Sequence, residues 1–186
     1  MKQSELNRLS ELANIGAGHA ASAFASLTDR TIWMDVPRVY EIGGMAPSHM
    51  ALEDVDEEWS TGVFFEFDGC LEAVVGILFH APASEAVVRR VVGIDSGDLA
   101  PHVIESALME VGNILASHVA SAIADTLGER LLPSIPTLAM NHAEAELGAL
   151  VSHRDAEHPI RIECHLRDET GELSGLLVLI PESRSE

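Results

Sequence analysis

The chain is 186 residues long, 47% hydrophobic and only 4% aromatic, which suits one packed domain, or two small fused halves, with a core of Ala, Val, Leu and Ile. Thirty acidic residues against eleven basic ones give a formal net charge of −19, which argues against nucleic acid and anionic membrane surfaces as partners. The bases are ten Arg and the single Lys2; such a surface fits high salt, where screening weakens self-repulsion, and equally an acidic protein from a high-GC mesophile.

Residues 4–27 read as an Ala-rich helix ended by Thr28-Asp29. Thr31 to Ile42 is β-like, with Pro37 marking an edge or bulged strand. Pro47 to Asp54 suggests a short helix. Thr61 to Phe67 and Leu71 to Phe79 are expected as a hairpin around Asp68-Gly69. Residues 83–93 form a short helix ended by Gly93, and a long helix runs from about 101 to 127, stopped by Gly128. Ile135 to Met140 is a strand broken by proline, Ala143 to Val151 a short helix, and Ile160 to Leu166 and Leu173 to Ile180 a second hairpin. The turn Gly93–Asp98 leaves no linker between the halves.

The two halves are one text written twice. Glu11-Leu12-Ala13-Asn14-Ile15 recurs 99 positions later as Glu110-Val111-Gly112-Asn113-Ile114. The same offset pairs Ala17 with Ala116, His19 with His118, Ser22 with Ser121 and Pro37 with Pro136. Ala-rich helices match by chance in their alanines, but not in Glu, Asn, His, Ser and a distant Pro in one register. The expected architecture is α+β: a single domain spanning residues 1–186, made of two repeats (about 4–92 and 103–181) related by a pseudo-twofold. They share a six-stranded, largely antiparallel sheet flanked by two long helices and short ones.

On the second long helix Ile104, Leu108, Val111, Leu115, Ala122 and Thr126 form an apolar face. Ser106, Glu110, Asn113 and Ser117 point the other way, and Glu110 and Asn113 stand side by side at i and i+3. Asn7, Glu11, Asn14 and Gly18 repeat the stripe on the first helix. An exposed helix face is polar in any case, but this pair is duplicated, and Asn is a mediocre helix former to place mid-helix. Its small or apolar flanks, Ile15-Gly16-Ala17 and Ile114-Leu115-Ala116, suggest a surface that a partner approaches closely.

Ser106, Glu110, Asn113 and Pro136 fit the pattern Ser/Asp-x3-Glu-x2-Asn-x22-Pro in full, and Glu11, Asn14 and Pro37 fit all but its first position, where Asn7 stands. In these residues, and in the wording Glu-Leu-Ala-Asn-Ile-Gly-Ala-Gly-His-Ala-Ala, the chain resembles the CheC/CheX/FliY family of chemotaxis phosphatases over nearly its whole length. The resemblance implies hydrolysis of the aspartyl phosphate of a CheY-type response regulator, with no cofactor of its own and Mg²⁺ on the regulator. Asn14 and Asn113 would orient the attacking water. Glu11 and Glu110 would grip a basic residue of the regulator, Asn7 and Ser106 would help docking, and Pro37 and Pro136 would shape the strand behind each helix. An acyl phosphate is already reactive, so positioning a water is the work left to do.

The alternative is an adaptor that binds phosphorylated CheY, or the receptor deamidase CheD, without hydrolysis. A flagellar-switch component of the FliY type would add further domains, whereas this chain stops at Glu186 just after the last strand. A duplicated chain can stand as a monomer where a one-motif relative would need to dimerise. His19 and His118 have no ligand set around them and read as packing or surface residues. The run Glu53–Glu58 lacks the glycine-bearing EF-hand spacing and reads as a solvated loop before a Ca²⁺ site. Cys70 and Cys164 are expected reduced and half-buried in strands. No unbroken apolar run reaches the ~18 residues of a membrane span, and the polar start Met1–Glu5 is no signal peptide, so a cytoplasmic location is expected.

Overall fold

The long duplicated helices are α1 (Gln3–Thr28) and α3 (Pro101–Leu127) in the computed structural model, which describes residues 3–41, 59–152 and 160–182. The short helix expected at 47–54 and the acidic run Glu53–Glu58 lie outside the described residues. α3 starts on Pro101, whose missing N–H is harmless in a first turn. It stops at Gly128, whose left-handed backbone (φ 68°) turns its N–H onto the Ala124 carbonyl. α1 ends in the same way on Asp29 (φ 52°).

Between the helices run β1 (Trp33–Met34), β2 (Arg38–Glu41), β3 (Thr61–Gly69), β4 (Ala73–Phe79) and the short helix α2 (Ala81–Val92). After α3 come β5 (Leu131–Pro133), β6 (Thr137–Ala139), α4 (Ala143–Ser152), β7 (Ile160–Arg167) and β8 (Ser174–Pro181). Among the described residues the strands form one antiparallel sheet in six rows: β1 with β2, then β7, β8, β4, β3, and β5 with β6. The expected six strands become eight segments because both edge strands are broken, and in the second repeat the strand begins at Leu131, before the expected Ile135.

The row order has the same meaning from either edge, which is the pseudo-twofold. Arg38, Val39 and Tyr40 pair with Glu163, Ile162 and Arg161, and Thr137, Leu138 and Ala139 pair with Phe64, Val63 and Gly62. A shift of 99 residues, forward in one strand and back in the other, turns the first set into the second. Trp33 and Met34 on Arg167 and Leu166 likewise become Leu132 and Pro133 on Asp68 and Phe67. The central rows β4 and β8 pair with each other. Each repeat therefore lends its edge strand to the other repeat's hairpin, so the two are interlocked.

Both edge breaks have one cause. Asp35 donates its N–H to His165 O (3.0 Å) and Ser134 donates its own to Glu66 O (2.8 Å), after which the proline two residues on has no N–H for the ladder. The residue between is pushed into solvent: Val36 is 81% exposed and Ile135 88%. Ser134 pins its bulge further, its Oγ accepting from Glu66 N–H (2.9 Å) and donating to Ile135 O (3.0 Å).

The main core lies between the sheet and α1, α2 and α3 and holds Phe24, Phe65, Phe79, Leu108, Leu115 and Ile123, among others. On the opposite face α4 buries Ala143 and Leu147 against Phe64, Val74, Leu78, Leu176 and Val178. β4 is thus buried along both faces, which explains its unbroken apolar run. By length and composition α3 could cross a bilayer, but Leu108, Val111, Leu115, Val119 and Ile123 are all inside the protein. The buried band is wider than the expected single face, because α3 packs on α1 as well as on the sheet. Thr126, expected inside, is exposed and bonds back to Ala122 O (2.8 Å), while Val119 and Ile123 take the buried places.

Candidate functional site

Two packed sides leave α3 a narrow exposed strip. Ser106, Glu110 and Asn113 lie on it, along one wall of an open groove of about 840 Å³. The other wall is the broken edge strand, which supplies Pro136, Leu138 and Met140; Glu105 and Met109 complete the lining. Four residues spread over 31 positions of sequence thus meet at one groove. Pro136 belongs there because the bulge pinned by Ser134 holds it beside the helix. Leu138, on the groove, also packs against the main core, so the strand wall is fixed. Glu110 and Asn113 are both exposed, and an exposed carboxamide offers one donor and one acceptor to a single bound water.

On α1, Asn7, Glu11 and Asn14 are likewise exposed. Here Asn7 is engaged within its own helix, accepting at Oδ1 from Gln3 Nε2 (3.0 Å). The next stripe position, Gly18, leaves room for Met34, whose Sδ would lie 3.7 Å from a Cβ placed there. His19 and His118 are exposed.

The small flanking residues serve a different end from the expected one. Gly16 and Ala17 are buried in the α1–α3 contact, and a Cβ on Gly16 would come within 2.9 Å of Val119 Cγ1. Gly112 lets α3 down onto the sheet, where a Cβ would meet Val63 Cγ1 at 2.5 Å. They set how close the helices and sheet come, and so the height at which Asn14 and Asn113 are presented. Sequence reasoning also missed Met109, Met140, Leu138 and Glu105 as groove residues. The signal within reach was that Met109 precedes Asn113 by four positions, one helical turn.

Among the remaining ionisable groups, Arg161, Glu163 and His165 alternate along β7 with the core residues Ile162 and Cys164 and so lie on the sheet face away from the long helices. Arg161 holds Glu144 of α4 through two bonds of 2.9 Å and stands against Glu163. Burial pushes the Glu163 carboxyl above its ordinary range, with Arg161 opposing it. Burial lowers His165 below the usual imidazole value; its ring lies 5.9 Å from that of Trp59, which stacks on His80 at 3.7 Å. Cys164 is buried, donates to Asp35 O (3.0 Å), and its thiol is raised to about 12, which leaves it unreactive. Cys70 is half-buried but lies in the hairpin turn rather than in a strand. Among the described residues no group of three or more His, Cys, Asp or Glu could hold a metal ion.

Residues 5–41 and 103–139, the two helix-and-edge-strand units, match the CheC-like family. The chain is 29% identical over 198 aligned positions to the CheY-P phosphatase CheC of Bacillus subtilis, covering 98% of this chain and 90% of that one. Its fold is similar to that of Thermotoga maritima FliY (TM-score 0.71, 18% identity, 98% of this chain and 92% of that one). It is also similar to a chain in the CheX–CheY–BeF3–Mg²⁺ complex of Borrelia burgdorferi (TM-score 0.61, 14% identity, 92% of this chain and 97% of that one).

Proposed function

We propose that this chain, two stretches of which match the CheC-like family, ends a chemotaxis signal by hydrolysing the aspartyl phosphate of a CheY-type response regulator. The observation that carries this reading is the groove in which Glu110, Asn113, Ser106 and Pro136 meet, with Glu11 and Asn14 at the matching positions of α1.

The chemistry asks little of such a protein. The aspartyl phosphate is a reactive acyl phosphate, and the regulator brings the Mg²⁺ that neutralises its charge. Asn113 accepts a hydrogen bond from a water and donates one to it, holding the oxygen in line with phosphorus. Glu110, one turn before it, pairs with a basic side chain of the regulator and sets the angle at which α3 enters. Ser106 extends the docking surface by one more turn. Glu11, Asn14 and Asn7 act in the same roles on α1. No resident cofactor is required, and the setting is the cytoplasm, where such regulators work. The interlocked sheet supports action as a monomer, because one chain already contains the pairing that a single-motif relative would obtain from a second copy.

The test is the decay of a phosphorylated CheY-type regulator with and without the protein. Faster decay that disappears in the Asn14→Ala/Asn113→Ala double variant supports the reading. Decay at the wild-type rate with that double variant makes the helices a docking surface only and favours the adaptor role, for phosphorylated CheY or for CheD.

A further inference from the structure

We propose that Met109 and Met140 form an apolar seat for the response regulator at the second site, at positions where the first has Ser10 and Glu41. The inference rests on the phosphatase reading above and adds to it the residues that set affinity.

Met109 comes from α3 and Met140 from the end of the edge strand, yet both face the groove that holds Asn113. The chain has six methionines in all, so two at one groove is a concentration. Met109 is half-buried and packs against the main core on its inner side, which anchors it. Met140 is 37% exposed and is followed by Asn141, whose left-handed backbone (φ 74°) turns the chain away directly after it. With Leu138 and Pro136 they make a mostly apolar strip beside the Glu–Asn pair.

The occupant follows from the chemistry of the groove. Asn113 acts only on a phosphoryl group brought to it, and Met109 lies one turn away on the same face of α3. The regulator surface around the phosphorylated aspartate must therefore cover the methionines whenever the site is engaged. Thioether side chains suit this, since they adapt to an imperfect surface without losing contact. The contact is also insensitive to salt, whereas the Glu110 ion pair is screened.

At the first site the 99-residue shift puts Ser10 in place of Met109 and Glu41 in place of Met140. Glu11 and Asn14 are unchanged there. The two sites should thus share their chemistry and differ in affinity.

Single-site proteins separate the two terms: Asn14→Ala leaves the second site, Asn113→Ala the first. With a CheY-type regulator kept phosphorylated by acetyl phosphate and Mg²⁺, KM for the first site should exceed that of the second by about ten-fold, the loss expected for an apolar hot spot. In the Asn14→Ala background, Met109→Gln with Met140→Gln should raise KM by about ten-fold while kcat changes less than about two-fold. Met140→Gln alone, at the more exposed residue, should raise KM with no change in melting temperature, which separates docking from folding. An unchanged KM in both methionine variants, or a loss confined to kcat, overturns the seat. If the Asn14→Ala protein has no turnover, catalysis at the second site is lost as a reading. The seat is then decided by titrating the same variants with beryllofluoride-activated regulator: Kd raised about ten-fold by Met140→Gln supports it, and an unchanged Kd overturns it.

Discussion

Beneath α4 the first repeat carries Gly62, Phe64 and Gly76, and the second repeat has Arg161, Glu163 and Val178 at the matching positions of the sheet. The Phe64 ring lies across the two glycines so closely that a Cβ on either would sit within 2.9 Å of it. The second repeat replaces that ring with the half-buried triad Arg161, Glu163 and Glu144. On the helix side the repeats stay close: Leu12 matches Val111, Ala17 matches Ala116 and Ala20 matches Val119, all buried. The side where α1 and α3 pack on each other and on a shared sheet constrains both copies jointly, since neither helix can change height without moving the other. Among the described residues the opposite face carries α4 alone and shows no such coupling, so ring and ion triad are both admissible there. The sites sit on the helices of the coupled side, and the Glu–Asn pair is exposed in both repeats although the residues around it differ.

The largest effects test that equivalence. Asn113→Ala should lower kcat/KM about ten-fold, because only the weaker first site then remains, and should leave the melting temperature unchanged, since the side chain is exposed and Ala is the better helix former. Asn14→Ala should have a smaller effect, because its site has Asn7 tied to Gln3 and carries Ser10 and Glu41 where the second has methionines. The double variant should be nearly inactive. Glu110→Ala should raise KM as well as lower turnover. Equal losses from Asn14→Ala and Asn113→Ala, measured as regulator dephosphorylation, would make the two sites alike.

Much of this was legible in the sequence, because the repeat is visible as an offset and that offset holds to the residue in the pairings of the edge strands. The Glu–Asn stripe was legible from helical spacing alone. The crossing of edge strands between repeats was not: periodicity tells which face of Arg38–Glu41 is apolar, not whether β3 or β7 will bind it. Gly16 was misread for a related reason, since a small residue beside a functional one serves partner approach or helix packing equally well until the neighbours are known. Met140 read only as the last residue of a strand, and its place in the groove depends on a bulge pinned by Ser134 that no local pattern announces.

Helix height gives the next contrast. Gly112 meets Val63, and its counterpart Ala13 stands over Ile162 with a small cavity of about 10 Å³ nearby. Gly112→Ala should destabilise by about 1–3 kcal/mol through overpacking, against its favourable helix propensity, and should disturb turnover by lifting Asn113. Ala13→Gly should cost only about 1 kcal/mol, from propensity. Denaturant unfolding of the two variants checks the ranking, and a Gly112→Ala protein as stable as wild type would show that α3 has slack.

The bulges differ in the residue that accepts the first bond. Ser134 pairs with the exposed Glu66, and Asp35 with the half-buried His165. Because burial lowers the folded-state pKa of His165, the unfolded chain takes up this proton first as pH falls. The stability it contributes is fully present above the unfolded value near 6.5 and is lost as pH drops through the folded one. The stability difference between about pH 8 and about pH 5.5 should be smaller in His165→Asn than in wild type, as thermal melts at the two pH values can measure.

The smallest contrast is at the helix ends. α1 and α3 finish with the same geometry: Arg30 and Glu129 donate to Ala25 and Ala124 carbonyls at 3.3 and 3.2 Å, and the residue before each is left-handed. In the second repeat that residue is Gly128, while in the first it is Asp29 with φ 52°. A side chain in this region carries a steric cost of roughly 1–2 kcal/mol, less for Asp, whose short polar group tolerates it. Glycine removes the strain but adds freedom to the unfolded chain, which offsets part of the gain. Asp29→Gly should therefore stabilise by no more than about 1 kcal/mol, and Gly128→Asp should destabilise by a similar amount. Together the two exchanges ask whether the caps are interchangeable. If Asp29→Gly destabilised the protein instead, the Asp29 side chain would be contributing an interaction of its own at the end of α1, and the two helix ends would be alike in backbone only.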